Sequence, residues 1–396
     1  MNIKLLAALT AALVIAGGNI ATAQEESAAD KLGLEIGAYG TIVLQGTPKV
    51  NSQEKAKGEN DLAYSFDITI GKDLGGGASV FSHLVVGQGD GLSSVFSYTN
   101  GVNGDVWNTD NVLTVAELYY KQTLLDEKLS VTIGKINPAL YFDQNAYAND
   151  ETAQFINYAF VSNPLIVYPL DFYKFGVNVT YSPIEKLEFS YSYLETNSDL
   201  AHFDTRGFNT IQLAFKPNET GNYRIFYWNN NDANFVYADV KNREFKEGVS
   251  GFGISADQQI TETIGLFARF GYRDPSIAVG TGIDTDDDGE IDDYDIFYAP
   301  SSIAASIGAQ FLGSAWSRDN DRLGIALGFA NTSKDIFDNT DLEKDGSEVN
   351  AEIYYAFAIN ENVIITPSLQ YLNNTYGGNT PEDNVFVYGI RTQIGF

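Results

Sequence analysis

Hydrophobic and polar residues alternate along much of this chain, which is the period of a β-strand rather than that of a helix. In the segment 263–273, Leu266 and Phe270 fall on one face with other apolar residues, while glycine and arginine alternate with them. The segments 187–195 and 322–331 repeat the pattern. These segments predict strands with one apolar face. A soluble sandwich would show the same period, so alternation alone does not distinguish a soluble fold from a membrane fold.

The connections between the predicted strands alternate in length. Short turns are predicted at 75–77, 126–128, 184–186, 218–221 and 360–362. Long polar connections are predicted at 45–60, 88–111, 136–170, 195–208, 230–248, 274–301, 332–346 and 373–383. Outer-membrane barrels have short periplasmic turns and long extracellular loops, whereas sandwiches have no reason to alternate in this way. The pattern predicts an all-β fold, a sixteen-stranded antiparallel transmembrane β-barrel that is wide enough to enclose water.

The C-terminal segment VFVYGIRTQIGF supports this prediction. Phe386, Tyr388 and Ile390 share one face, Arg391 lies on the other, and the chain ends at Phe396. Outer-membrane barrels end in such a closing strand with a terminal aromatic residue. An ordinary terminal edge strand would be charged or frayed instead.

The N-terminal segment predicts export. Residues 1–23 contain an early lysine, an apolar run and an A-x-A site, which is the pattern of a signal peptide removed after Ala23. We therefore predict three parts: the signal peptide at 1–23, a short periplasmic segment at 24–33 and one barrel domain at 34–396. The predicted location is the outer membrane of a Gram-negative bacterium, with lipid around the barrel.

Composition excludes several functions. The formal net charge of -28 and pI near 4.2 exclude electrostatic binding of nucleic acid. The chain has no cysteine and two histidines, His83 in a predicted strand and His202 in a loop, and neither lies in a recognisable catalytic setting. An enzyme is therefore disfavoured, and an adhesin or purely structural barrel is the remaining alternative to a channel.

The segment 116–160 carries a resemblance to a known family. It contains Glu117 and Gln122 on one strand, the pair Gly134-Lys135 on the next, and the cluster 154–157 in the following loop. The resemblance continues through 167–183 and 352–374 and into the Arg391 strand. These residues resemble the carbohydrate-selective outer-membrane porins of the glucose-porin, or OprB, type. The resemblance implies a trimeric sugar channel that passes mono- or small oligosaccharides by diffusion. A general, weakly cation-preferring porin is the alternative, suggested by the excess of acidic residues.

The polar positions of the strands predict which side chains face the lumen. The signs are mixed, which suits neutral sugars because carboxylates accept hydrogen bonds from hydroxyl groups and guanidinium groups donate them. A phosphate pore would carry mainly arginine and lysine, and a cation pore mainly acids. The predicted sugar contacts, with Trp228 as an aromatic platform, are Glu117, Lys121, Lys174, Arg224, Trp228, Arg269, Arg273, Glu352 and Arg391.

The long connection 136–170 is predicted to fold into the barrel and narrow it. It carries apolar residues at Leu140, Phe142 and Phe155, whereas an exposed loop of this length would be plainly polar. Its candidate polar contacts to sugar are Asp143, Asn145, Gln154 and Asn157.

The acidic segment 284–295, DTDDDGEIDDYD, fits the spacing of a calcium loop. Gly289 stands at the sharp turn and Ile291 at the apolar position of that pattern. The predicted Ca²⁺ ligands are Asp284, Asp286, Asp288, Glu290, Asp292 and Asp295. Because no helices flank the segment, we predict a weak, structural calcium site in an extracellular loop.

Overall fold

The computed structural model describes most of the chain after residue 31. The described residues are 32–48, 59–94, 100–106, 111–169, 172–196, 207–231, 235–237, 248–274, 277–283, 293–296, 301–331, 346–378 and 384–395. The predicted signal peptide, the periplasmic segment up to residue 31, and residues 284–292 of the predicted calcium loop lie outside them.

Sixteen strands form one closed antiparallel barrel, and three further strands form a small sheet in the long loops. The barrel strands are β1 (Glu35–Thr47), β2 (Glu59–Gly75), β3 (Ala78–Gln88), β4 (Thr114–Leu124), β5 (Leu129–Ile136), β6 (Lys174–Ile184), β7 (Leu187–Glu195), β8 (Gly207–Phe215), β9 (Gly221–Asn230), β11 (Val249–Thr261), β12 (Ile264–Arg273), β15 (Ile303–Leu312), β16 (Arg322–Asn331), β17 (Ser347–Ala358), β18 (Val363–Asn373) and β19 (Asn384–Gly395). The small sheet contains β10 (Phe235–Tyr237), β13 (Ile277–Ile283) and β14 (Asp293–Ile296).

Helical structure among these residues is short. One α-helical turn spans Tyr158–Val161, and 3-10 turns span Gly91–Ser94, Pro138–Leu140, Gly313–Trp316 and Thr375–Gly378. In the described part of the chain no helix has the length and apolar character needed to cross a membrane.

The first and last strands close the barrel. β1 pairs with β19 from Tyr39↔Gly395 to Gly46↔Tyr388, and β1 also pairs with β2 along its whole length. Closure gives every barrel strand a hydrogen-bonded neighbour on both sides and leaves no sheet edge open to lipid. The sixteen-stranded antiparallel barrel predicted from the sequence is confirmed.

Side chains alternate across the wall as the sequence pattern predicts. In β12, Leu266 and Tyr272 point outward and are exposed, while Phe267, Arg269 and Arg273 point inward and are buried. The outward face is therefore apolar and suited to lipid, and the inward face carries the polar groups.

The connections follow the predicted alternation of short and long. The structure adds two short connections that were not predicted from the sequence. One joins β11 to β12 at 262–263, and the other joins β15 to β16 at 313–321. In the second, Arg318 Nε lies 2.6 Å from Asp321 Oδ2, which holds the turn together.

Gly134 in β5 is a position where only glycine fits. Its φ is +143°, and an added Cβ would lie 2.2 Å from the Leu118 carbonyl oxygen of β4. The absence of a side chain lets β5 approach β4 closely just before the chain leaves the wall at Ile136 and enters the loop 137–173.

Candidate functional site

The loop 137–173 connects β5 to β6, and its described residues, 137–169 and 172–173, lie inside the barrel. Its Phe142 ring packs against Phe226 of β9 at a centroid distance of 5.6 Å, and its Phe155 ring packs against Tyr354 of β17 at 4.9 Å. These contacts lie on two different parts of the wall, so the loop crosses the lumen. Both rings are about 1% exposed, and burying a side chain of this size stabilises by roughly 1.5–3 kcal/mol. The structure therefore shows the inward fold that the sequence predicts for this loop.

Arg269 of β12 holds the middle of this inward loop. Its Nε donates to Asp143 Oδ1 at 3.1 Å, and its Nη2 donates to the Asp143 carbonyl oxygen at 2.9 Å. Its Nη1 donates to the carbonyl oxygens of Ala148 and, at 2.7 Å, Phe160. The guanidinium group is enclosed by loop backbone, and its fixed fork of donors suits several acceptors at once.

Arg391 and Glu352 hold the next part of the loop. Arg391 of β19 donates to the carbonyl oxygens of Glu151 and Gln154 at 2.7 and 2.8 Å. Glu352 of β17 accepts from the backbone amides of Ile156 and Asn157 at 3.0 and 2.8 Å. Backbone groups of the loop therefore pair with both buried charges.

The four loop residues predicted as sugar contacts make internal contacts in this structure. Asn145 Nδ2 donates to Ser255 Oγ at 3.2 Å, and Asn157 Nδ2 donates to Gln370 Oε1 at 2.9 Å. Gln154 accepts from the Asn149 amide at 2.7 Å, and Asp143 pairs with Arg269. Each of these side chains fixes the loop to the wall or to itself.

A second connection, between β3 and β4, also enters the lumen, and the sequence reading did not predict this. The Val102 carbonyl oxygen accepts from Gln45 Nε2 at 2.7 Å and from Gln370 Nε2 at 2.8 Å. Leu92 and Val102 pack with Leu372 and with Val385 and Val387 of the β18–β19 wall in a buried cluster. The described parts of this connection, 89–94 and 100–106, therefore lie in the lumen, where the Gly104 amide donates to the Ile156 carbonyl oxygen of the loop 137–173 at 2.7 Å.

The remaining wall residues predicted from the sequence have varied settings. Arg224 pairs with Asp257 at 2.6 Å, and the Trp228 ring is 1% exposed in an apolar cluster with Phe208, so its faces are covered. Glu117 accepts from the Asn137 amide at 3.1 Å. Three cations complete the set: Lys174 and Arg273 are buried at one end of their strands, and Lys121 is exposed on β4.

Open space remains between the two inward loops and the wall formed by β1–β3 and the β18–β19 hairpin. We call it the lumen cavity. Its volume is about 380 Å³, and its lining includes Tyr39, Thr41, Ser65, Asp67, His83, Asp105, Glu151, Tyr173, Glu361 and Gln393. Because Glu361 lies in a short turn and Asp105 and Glu151 lie in inward loops, the cavity extends from mid-barrel to the short-turn rim.

The predicted sugar contacts and the lining of the lumen cavity are different residues. Neither the nine wall residues nor the four loop residues predicted above are among the described residues that line it. Arg269, Arg391 and Glu352 instead hold the loop that forms one side of the cavity.

The acidic groups of the cavity affect one another. Burial is the main cause that raises the pKa of Asp105 to about 7, and the negative charge of Asp67 raises it further. A hydrogen bond from Ser65 and the positive charge of Arg391 act in the opposite direction. Burial, then the charges of Asp150 and Asp105, raises the pKa of Glu151 to about 8. These two carboxyl groups therefore titrate close to neutral pH.

Part of this lining could have been found from the sequence. Asp67 and Ser65 alternate with outward Phe66 and Ile68 on β2, so parity alone places them in the lumen. His83 lies on the neighbouring strand, and its Nε2 is 2.7 Å from Asp67 Oδ1. Asp105 and Glu151 are in loops, where parity gives no signal.

A closed sixteen-stranded barrel with loops folded into a polar lumen defines an outer-membrane porin. The sequence model of the family described as carbohydrate-selective porin, OprB family, matches residues 53–396 of this chain. This chain belongs to that family. It is therefore a carbohydrate channel of the Gram-negative outer membrane and not an enzyme, as the sequence predicted.

Individual proteins agree with this assignment. The chain is 23% identical to Porin B of Pseudomonas aeruginosa over 346 residues, which cover 74% of this chain and 70% of that protein. The high-pH structure of Pseudomonas putida OprB has a TM-score of 0.74 at 18% identity and covers 93% of this chain and 95% of that one. The Salmonella typhi OmpF complex with daunomycin has a TM-score of 0.58 at 14% identity, covering 91% and 98%. At these identities the structural likeness supports the fold.

Proposed function

We propose that this porin passes neutral mono- or small oligosaccharides through the lumen cavity, along the side of the inward loop 137–173. The observation that carries the proposal is the cavity lining, in which hydroxyl, carboxyl and amide groups stand beside tyrosine rings. Its volume of about 380 Å³ is within the range of small-molecule sites.

The lining suits a polyol in two ways. The carboxyl groups of Asp67 and Glu361 and the amide of Gln393 offer acceptors and donors for sugar hydroxyl groups. Tyr39 and Tyr173 offer amphipathic faces for a sugar ring. In this proposal Arg269, Arg391 and Glu352 do not contact sugar. They hold the loop 137–173 in the position that shapes one side of the cavity.

A general, weakly cation-preferring porin is the second candidate. The carboxyl groups in the lumen cavity favour it, because acidic linings attract cations. The two candidates differ in whether sugar binds in the channel or only diffuses through it.

Ion current through the purified protein in a planar bilayer separates these candidates. We expect glucose or maltose to reduce the conductance in a saturable way, because bound sugar displaces ions from the cavity. The variant Gln393→Ala should weaken this block several-fold, while Thr220→Ala on an exposed short turn should not change it. A conductance that falls only in proportion to the viscosity of the sugar solution would reject the sugar-binding channel.

We also propose that the segment 284–295 binds Ca²⁺ through Asp284, Asp286, Asp288, Glu290, Asp292 and Asp295. One feature of the described backbone supports this: β13 and β14 pair at Ile283↔Asp293, so the two ends of the acidic connection lie side by side. The eight carboxylates of this segment would repel one another without a cation. Calcium should slow proteolysis within 274–301, and protection that persists in chelator would reject the site.

Two further features of the mature protein are proposals. The trimer implied by the family resemblance is supported by the apolar outer wall, which can contact partner barrels as well as lipid. Native mass spectrometry in mild detergent tests it, and a monomer would reject it. Cleavage after Ala23 is supported by the A-x-A site, and mass spectrometry of protein from outer membranes would give a different mass if it were wrong.

A further inference from the structure

The charges around the lumen cavity have one sign. Its lining contains four acidic residues, Asp67, Asp105, Glu151 and Glu361, together with His83. Within the described part of the chain, no lysine or arginine lines it. The four acidic residues come from the wall, from both inward loops and from a short turn. The acidic groups therefore surround the space instead of lying on one surface.

The cations close to this space are directed elsewhere. Arg391 gives Nη1 and Nη2 to the carbonyl oxygens of Glu151 and Gln154. His83 stands between two carboxyl groups, with Nε2 2.7 Å from Asp67 Oδ1 and Nδ1 3.6 Å from Glu117 Oε2. A positive charge on this imidazole would therefore be matched by its own neighbours, and it does not offset Asp105, Glu151 and Glu361.

We propose that the lumen cavity selects among sugars by charge: it passes neutral and amino sugars and rejects sugar acids and sugar phosphates of similar size. This inference rests on the proposed function, because it assumes that sugars pass through the cavity. A solute with a negative group has to lose water in a low-dielectric space beside several carboxylates, which is unfavourable, whereas an ammonium group gains from the same field.

The strength of this selection depends on pH. The groups that face Asp105 are Asp67 of β2, Arg391 of β19 and Asp150 of the loop, and Arg391 and Asp150 also face Glu151. The pKa of Asp105 is raised to about 7 and that of Glu151 to about 8, so both carboxyl groups are largely protonated at about pH 6 and ionised at about pH 9. The cavity therefore gains negative charge as pH rises, and selection against anions strengthens.

Liposome swelling with three matched hexoses measures the selection directly. The probes are glucose, N-trimethylglucosamine, whose ammonium charge does not depend on pH, and glucuronate, all at about pH 9, where Asp105 and Glu151 are ionised. We expect glucuronate to enter the liposomes at least about threefold more slowly than glucose, and N-trimethylglucosamine to enter at least as fast as glucose. The isosteric variant Asp67→Asn/Asp105→Asn/Glu151→Gln should bring the three rates together. Glu219→Gln, which removes an exposed carboxylate on another short turn, should leave them unchanged.

Reversal potentials in a KCl gradient give an independent reading that needs no sugar. The K⁺ over Cl⁻ permeability ratio should rise several-fold from about pH 6 to about pH 9 in the unmodified protein. In Asp105→Asn/Glu151→Gln this rise should disappear. Equal rates for glucuronate and glucose, or a permeability ratio that ignores both variants, would overturn the charge selection. If KCl shows the selection but no hexose enters, the sugar channel itself fails and the charge-selective cavity stands.

Discussion

Arg391, Arg269 and Glu352 show how this barrel uses its buried charges. Each side chain projects from the wall into the lumen, as alternation predicts, and each ends on backbone groups of the loop 137–173. Removing one partner of such a buried, charge-assisted contact leaves the other partner unsatisfied. At the scale of single residues, these three lumen charges are therefore structural supports for the loop.

Arg391→Lys tests this role without removing the charge. A lysine ammonium group cannot reproduce the guanidinium fork that reaches two carbonyl oxygens, so we expect the loop to loosen, at a cost of roughly 1–3 kcal/mol. Hydrogen exchange of the amides 150–157 should accelerate, and sugar block should weaken. Lys121→Arg, an exchange in the other direction at an exposed wall position, is the control. Unchanged exchange in Arg391→Lys would show that the fork does not hold the loop.

The loop 137–173 behaves as one packed element rather than as a loose lid. Its aromatic residues Phe142 and Phe155 join clusters on different walls, and Asn137 and Asn157 cap its two short helical turns. The pore is therefore narrowed by an element with its own hydrophobic contacts, and Thr152 lies on the side that faces the lumen cavity.

Thr152→Cys measures whether this face of the loop lies in the ion path. The chain contains no other cysteine, so a charged methanethiosulfonate reagent modifies one site only. We expect modification to reduce conductance by at least about a third, because it places bulk in the lumen cavity. Thr220→Cys is a matched control: both threonines have an asparagine or aspartate oxygen and a glutamine amide as side-chain partners, but Thr220 is on an exposed turn. An equal effect at both positions would contradict the assignment.

Closure determines the behaviour of the whole molecule. Ile42 of β1 is paired on both sides, with Tyr64 of β2 and Thr392 of β19, so its backbone is inside the ladder. The natural Pro367 of β18 stands where the β17–β18 pairing is interrupted between Tyr354↔Ser368 and Phe357↔Ile365. A proline is therefore tolerated where the ladder is already open.

Ile42→Pro should prevent the barrel from closing. It removes a backbone donor from a continuous ladder, and within sheets proline is found essentially only on edge strands or at bulges. The folded barrel migrates differently from the unfolded chain in SDS gels before heating, and this folded band should be lost. Ile42→Val keeps the side chain apolar and the donor in place, and it should keep the band. A normal folded band for Ile42→Pro would show that the β1 pairings are not needed for closure.

The sequence predicted the fold and part of the site. Alternation placed Arg269, Arg391 and Glu352 in the lumen, and loop length with internal aromatic residues predicted that the connection after β5 folds inward. The connection after β3 also carries apolar residues, among them Leu92, Phe96, Val102 and Trp107, so apolar content did not distinguish the two connections in the sequence. The structure shows that the described part of this connection enters the lumen as well. The sequence predicts Trp228 as a platform for sugar, but Phe208 and the loop cover its ring.

The amino-acid sequence by itself determined the number of barrel strands, the faces that meet lipid and lumen, and the rim on which each loop lies. These properties depend on local period and on connection length, which a linear sequence contains. Only the tertiary structure decided that the charges predicted to bind sugar, such as Arg391, hold a loop instead. Only the structure also brings Asp105 and Glu151 together with Asp67 and Glu361 around the lumen cavity. These contacts depend on how two long loops pack inside a closed wall, and that packing joins residues that are far apart in the chain.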